Sequence, residues 1–175
     1  MNEADSHEVV LTALEGRADL KVFTDRTPAL GLQMLPYRKD RLVLVAHPGH
    51  PLDARRRVAF AEAPTYDFVS LSQGTSLAQR LALASGLLGV PLRIRIRVRS
   101  FDAMCQMVAT GLGIAVMPGT AVQLLVKALG LRKLKLTDDW VDRELLLGAQ
   151  DLATLPSPTR SLLDHLEDQR QSAQR

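Results

Sequence analysis

The sequence predicts an α/β fold, and three observations carry that reading. Short apolar runs of strand length alternate with helical patterns along the chain. Residues 67–88, DFVSLSQGTSLAQRLALASGLL, read as a strand, a glycine turn and a helix. Residues 100–119, SFDAMCQMVATGLGIAVMPG, read as a helix, a glycine stop and a second strand. In that block Ser100 or Asp102 can cap the helix, because their oxygens accept the free N–H groups of its first turn. Ala103, Met104, Met107 and Val108 recur at helical spacing and form its buried face. Gly111 and Gly113 release the chain from the helix, and Ile114 to Met117 run continuously apolar, as suits a strand buried on both faces.

The remaining elements follow in order. Ser6 is expected to cap a helix over residues 7–15, with Val9, Val10, Ala13 and Leu14 on its apolar face and Gly16 ending it. Leu20, Val22 and Phe23 make a short strand, and a loop through Pro28 and Gly31 leads to a strand at 42–46. His47-Pro48-Gly49-His50-Pro51 is rich in turn residues and marks the expected first crossing between two lobes. The helix over residues 76–88 carries one apolar stripe of Leu77, Leu81, Ala84 and Leu88, and a second of Ala78, Ala82, Leu83 and Leu87. A helix covering one face of a sheet shows a wider polar side than Gln79, Arg80 and Ser85 provide. The second stripe therefore predicts a homodimer paired through this helix; the plainer alternative is a helix wedged inside a larger core. A helix at 120–129 stops at Gly130, and Leu131, Leu134 and Leu136 lead to the turn Asp138-Asp139-Trp140. Residues 144–149 are the expected return crossing. Pro156 and Pro158 introduce a last helix with Leu162, Leu163 and Leu166 inward, and the polar tail from Asp168 is expected to fray.

Composition narrows the function classes. At 175 residues the chain can bury a real core, and 46% apolar with 23% charged residues is an ordinary globular balance. No apolar run is long enough for a membrane span, and the acidic, polar start is unlike a secretory signal, so a cytoplasmic location is expected. Cys105 is the single cysteine; it excludes a disulfide within the chain, and its apolar helix predicts an inert core thiol.

Twenty-two basic against nineteen acidic residues make a mixed surface, without the concentrated stripe of a nucleic-acid binder. Arg55, Arg56 and Arg57 read as a solvated loop. Arg93, Arg95, Arg97 and Arg99 alternate with Leu92, Ile94, Ile96 and Val98, the period of a half-buried strand with its arginines on one face. No aromatic residues interleave with them and no reading helix accompanies them, so phosphate contact is the lesser reading. His47 and His50 are broken up by prolines and lack a third ligand nearby, so no metal is expected. Ser72, Thr75 and Ser76 surround a helix N-terminus, where exposed N–H groups and the helix dipole suit an anion; an ordinary cap is the plain alternative. The loop lacks the lysine of a nucleotide-phosphate loop, and Gly111 to Gly113 follow a helix rather than open one, the reverse of the dinucleotide context. No nucleophile, base and orienting group form a recognisable set, so neither an enzyme nor a cofactor is expected.

Five segments in order resemble one family: residues 4–23 (ADSHEVVLTALEGRADLKVF), 41–52 (RLVLVAHPGHPL), 67–77 (DFVSLSQGTSL), 108–118 (VATGLGIAVMP) and 136–147 (LTDDWVDRELLL). They look like the effector-binding domain of LysR-type transcriptional regulators. The family's winged helix-turn-helix, and the first strand and helix of its effector domain, have no counterpart in this sequence. The resemblance implies a two-lobed type 2 periplasmic-binding-protein-like fold, with Rossmann-like lobes joined by two crossing strands. Lobe I would comprise residues 1–45 with 148–175, and lobe II residues 46–147. It implies a ligand-sensing and dimerisation domain that modulates transcription, with DNA contacted only through the missing N-terminal domain. A small-molecule effector, a carboxylate or other small anion, would sit in the inter-lobe cleft. Ser6 and Thr24 would face it from lobe I, and Ser72, Thr75, Ser76, Ser100 and Phe101 from lobe II. Without that first strand the site is expected to be incomplete. A free solute-binding protein of the same fold, and a domain serving oligomerisation alone, are the alternatives.

Overall fold

The structure, a computed structural model, describes residues 18–25 and 31–172. The expected cap at Ser6, the helix at 7–15 and the loop proline Pro28 lie outside the described residues. In order, the described elements are β1 (Lys21–Thr24), β2 (Gln33–Ala46), β3 (Arg57–Val58), a 3-10 turn (Phe60–Thr65) and β4 (Asp67–Leu71). Then come α1 (Ser76–Leu87), β5 (Arg93–Val98), α2 (Phe101–Ala109), β6 (Ala115–Pro118) and α3 (Gln123–Ala128). β7 (Arg132–Leu136), a 3-10 turn (Asp139–Val141), β8 (Asp142–Ala149) and α4 (Ser157–Ser172) complete the chain. No helix among the described residues is long and apolar enough to cross a membrane.

Hydrogen bonding links the larger sheet in the order β1-β8-β2-β7-β3, with β6 also paired to β2. The chain divides into two compact units, one spanning Asp40–Asp142 and the other built from the segments flanking it. β2 and β8 each run from one unit into the other. β2 begins at Gln33, well before the expected start at Leu42; Pro36 and the charged run Arg38 to Arg41 hide its first half from a search for apolar alternation.

In the Asp40–Asp142 unit, the continuously apolar LVLVA of β2 is buried on both faces between antiparallel β6 and β7. β6 is buried throughout, as the unbroken run from Ile114 to Met117 requires. β4 and β5 pair in parallel, and β4 joins the neighbouring segment through Val69 N–H to the Ile114 carbonyl and Ile114 N–H to the Asp67 carbonyl, both 2.8 Å. That close approach requires Gly113: a Cβ there would stand 2.5 Å from the Asp67 carbonyl oxygen. Leu77, Leu81 and Ala84 of α1 and Met104, Cys105 and Val108 of α2 fill the core. Burying a leucine such as Leu81 contributes about 2 kcal/mol. The only tryptophan, Trp140, stacks edge-on against Phe60 with ring centres 5.0 Å apart, and Asp138 accepts the Phe60 N–H at 2.8 Å.

The second apolar stripe of α1 is not wedged in a core. Leu83 is 68% exposed and Leu87 89%, and Leu88, expected on the buried stripe, lies with them on the exposed side as the C-cap. On β5 the arginines face outward while Ile94, Ile96 and Val98 are half-buried, as the alternation requires. Arg93 and Arg95 both approach Asp67, at 3.0 and 3.7 Å.

In the flanking unit β1 pairs antiparallel with β8, and the Phe23 ring lies so close to Gly148 that a Cβ there would meet it at 2.5 Å. α4 buries Leu163 but leaves Leu162 half exposed, so Leu162 does not face inward as expected. The helix also continues past Asp168 to Ser172, where the sequence suggested a fraying tail. Contacts distant in sequence hold it: Arg170 donates to the Pro36 carbonyl at 2.8 Å, and Thr159 donates to Asp19 at 3.0 Å.

Candidate functional site

Parallel pairing of β4 with β5 sets Leu71 beside Val98, so the two chains leave the sheet side by side at their carboxyl ends. Each then turns directly into a helix, β4 into α1 and β5 into α2. Two helix N-termini therefore open next to one another. Ser72 ties them together: its N–H donates to the Val98 carbonyl at 2.9 Å, and its hydroxyl approaches the same oxygen at 3.3 Å.

The hydroxyls here differ in what they have left to offer. Thr75 is the N-cap of α1; its oxygen accepts the Ala78 N–H at 3.3 Å while its own proton goes to the Ser72 carbonyl at 3.1 Å. Both roles of Thr75 are thus taken up locally, and it acts first as a structural cap. Ser100 caps α2 in the same way, accepting the Ala103 N–H at 3.2 Å, while Asp102 lies in the first turn without being the cap. No acceptor among the described residues takes the Ser100 hydroxyl proton, and Ser76 makes no side-chain hydrogen bond there either. The amides of Ser76 and Leu77 on α1, and of Phe101 and Asp102 on α2, likewise lack protein acceptors among the described residues, as first-turn amides do. Two helix dipoles thus direct their positive ends, with the uncommitted Ser76 hydroxyl and the Ser100 hydroxyl proton, to one end of a parallel strand pair. Chemically the arrangement suits a small anion.

Ser72, Thr75, Ser76, Ser100 and Phe101 are brought together within the Asp40–Asp142 unit, with Phe101 half-buried against its core. Thr24 ends β1 in the flanking unit, where it is buried, and the next residue's amide donates to the Glu144 carbonyl at 2.9 Å. Ser6 lies outside the described residues. The role of the Val98 carbonyl, which occupies Ser72, has no signal in the sequence, since it depends on the register between two strands.

Other groups singled out by the sequence are committed elsewhere. The ring nitrogen Nδ1 of His50 accepts the Leu52 N–H at 3.2 Å, and its ring packs against Tyr66 and His47. Burial, and then the neighbouring His47, push the His50 pKa below its usual 6.5, against the opposing pull of Asp53. Asp53 accepts the Gly49 N–H at 2.9 Å and pairs with Arg132 at 2.6 Å; the amide bond first, then the arginine, hold its carboxyl below the usual range. Cys105 is fully buried with its sulfur 3.8 Å from that of Met117, and burial, then Asp102, push the thiol up to about 11.

Comparison with known proteins is consistent throughout. Over 131 residues the chain is 30% identical to a probable hydrogen peroxide-inducible genes activator of Mycobacterium leprae, and this covers 73% of the chain. The chain spans only 42% of that relative. The effector-binding domain of QuiR, solved with shikimate, superposes with a TM-score of 0.80 at 17% identity, over 97% of this chain and 79% of that one. A Synechocystis CcmR regulatory domain, solved with 2-PG, gives 0.84 at 18% identity, over 95% and 80%. The mixed α/β fold is thus the type 2 periplasmic-binding-protein-like fold of these domains. Residues 1–171 match the family described as the LysR substrate binding domain, and the chain belongs to that family.

Proposed function

We propose that this chain is the ligand-sensing and dimerisation domain of a cytoplasmic LysR-family transcriptional regulator, and not an enzyme. Its effector is a small carboxylate or similar anion. The observation that carries this reading is the pair of adjoining helix N-termini at the carboxyl ends of β4 and β5, with the Ser76 hydroxyl uncommitted and the Ser100 hydroxyl still able to donate beside them. The two compact units correspond to the two regulatory lobes of such a domain. By resemblance to the family, Ser6 and Thr24 belong to the effector site from the first lobe. DNA contact is assigned to a separate N-terminal domain of the regulator. Subunits pair through the exposed face of α1, where Leu83 and Leu87 meet solvent in the single chain. The ligand acts by binding one arrangement of the lobes better than another; equal affinity for both would transmit nothing.

The relative's name raises peroxide sensing as a different input. Cys105 does not favour it, because sensing thiols are exposed and readily ionised. This one is buried, and its pKa is about 11.

The test is thermal unfolding against a panel of small organic acids and inorganic anions. A true effector at a hundred times its dissociation constant stabilises by about 2.7 kcal/mol. That shift should shrink in Ser76→Ala, whose unliganded stability stays near wild type because Ser76 is not the cap. A well-folded chain that no anion stabilises, or one stabilised equally in Ser76→Ala and Ser100→Gly, would overturn the reading.

A further inference from the structure

We propose that the Asp40–Asp142 unit carries a second small-molecule site, between α1 and β5, that takes an apolar monocarboxylate. A cavity of about 360 Å³ lies there, within the size range of ligand pockets. Leu81, Val90, Leu92 and Ile94 provide apolar wall. None of Ser72, Thr75, Ser76, Ser100 and Phe101 lines it, so it is separate from the site described above.

Three features make it more than an apolar groove. Ser70 lines it while only 3% exposed, and its hydroxyl has no hydrogen-bond partner among the described residues. The hydroxyl is not sealed off from the cavity, so it is free to donate to a ligand oxygen there. Arg97 also lines the cavity. Unlike Arg93 and Arg95, which share Asp67, it has no carboxylate partner among the described residues; its one contact is a long 3.4 Å bond to the Leu71 carbonyl. Gly86 stands inside α1, where alanine would favour the helix, yet a Cβ there would meet no atom within 4 Å. The position is exposed and uncrowded, so a larger side chain can be introduced there beside the cavity without a clash.

The polar groups define the ligand's head and the walls its body. Arg97 offers a cation and Ser70 a donor, which together suit one carboxylate. Ser85 also lines the cavity, but its hydroxyl proton is committed to the Val90 carbonyl at 2.8 Å rather than left for a ligand. Leu83 and Leu87 do not line it, so the face proposed for subunit pairing is a neighbouring surface.

Octanoate, with octanamide as its neutral counterpart, is the probe. In amide-resolved NMR titrations of the full chain, octanoate should shift Ser70, Leu81, Ser85 and Leu92 saturably. Arg97→Gln should weaken octanoate about tenfold while leaving octanamide unchanged, the size of one charge-assisted contact. Gly86→Phe should abolish both, and Ala82→Leu serves the same purpose if that variant fails to give a folded spectrum. Absence of saturable shifts, shifts confined to residues 72–76 and 100–102, or octanoate affinity unchanged in Arg97→Gln would each overturn the proposal. So would a dimer that Gly86→Phe dissociates while octanoate binds nowhere, because the cavity would then belong to an interface between copies of this chain.

Discussion

At the scale of single residues, the distinction that matters is between hydroxyls spent on the fold and hydroxyls left for a ligand. Thr75 donates to Ser72 and accepts from Ala78, so Thr75→Val should cost about 1 kcal/mol in urea unfolding even with no ligand present. Ser76→Ala should stay within about 0.5 kcal/mol of wild type. Cys105 combines full burial with a pKa of about 11, so about one thiol in ten thousand is ionised at neutral pH. It should resist a thiol-reactive dye in native buffer and react fully once the chain is unfolded; rapid native reaction would contradict its burial. His50 sets a pH dependence. Its folded pKa lies below the 6.5 of the unfolded chain, so the unfolded state takes up the proton first as pH falls. The stability it contributes is present above about 6.5 and is lost between that value and the lower folded one. The urea midpoint should therefore fall between pH 7.5 and pH 5, and His50→Phe should flatten that fall. Asp53 and Glu62, both held below their usual range, act in the same direction but only at more acidic pH.

At the scale of elements, two glycines in the same unit have opposite surroundings. Gly113 lets the segment before β6 abut β4, and a methyl group there would meet the Asp67 carbonyl oxygen at 2.5 Å and its carbon at 2.9 Å. Gly113→Ala should destabilise by about 2–4 kcal/mol, since backbone on both sides of the clash is fixed in hydrogen bonds. Gly86, by contrast, has open space around it in α1. Gly86→Ala should stabilise the chain by about 0.5–1 kcal/mol through helix propensity alone. Thermal or urea unfolding of the pair separates a packing glycine from an uncrowded one. α1 itself shows why apolar stripes must be weighed against a partner. Leu77, Leu81 and Ala84 of its inner stripe are buried against β4 and the core, while Leu83 and Leu87 of the outer stripe are left exposed by the described residues.

At the scale of the whole molecule, that uncovered stripe bears on assembly. Exposing two leucines on one helix face is unfavourable unless something covers them, and a second copy is the occupant proposed above. Leu83→Lys combined with Leu87→Lys should shift sedimentation to the monomer while the unfolding midpoint changes little. A monomeric wild-type chain at high concentration would remove the argument. β2 and β8 both cross between the compact units, and beside one crossing Arg41 grips Asp142 through two 2.6 Å contacts and donates to the Leu136 carbonyl at 2.9 Å. Asp142 is largely exposed and Arg41 about a third, so solvent screening keeps the pair's contribution to stability modest.

Local pattern was enough to read the alternation of strands and helices, the capping of α2, the doubly buried β6, the outward arginines of β5 and the membership of a regulator family, because each rests on periodicity or on short segments in order. Hydrophobic period determines which face is buried, and glycines mark where helices stop. What periodicity cannot carry is register and company. The first half of β2 is polar and holds a proline, and only its pairing in the sheet makes it a strand. α4 runs through a polar tail because Arg170 reaches the Pro36 carbonyl. The candidate site depends on Leu71 lying beside Val98, which brings two helix N-termini together across more than twenty residues of chain. Periodicity and ordered short segments were enough for most of the elements, most of their buried faces and the family. They were not enough for the start of β2, the end of α4 or the faces of Leu88 and Leu162. The tertiary structure alone decided which hydroxyls remain free, because a hydrogen bond to a carbonyl distant in sequence exists only once the strands have paired.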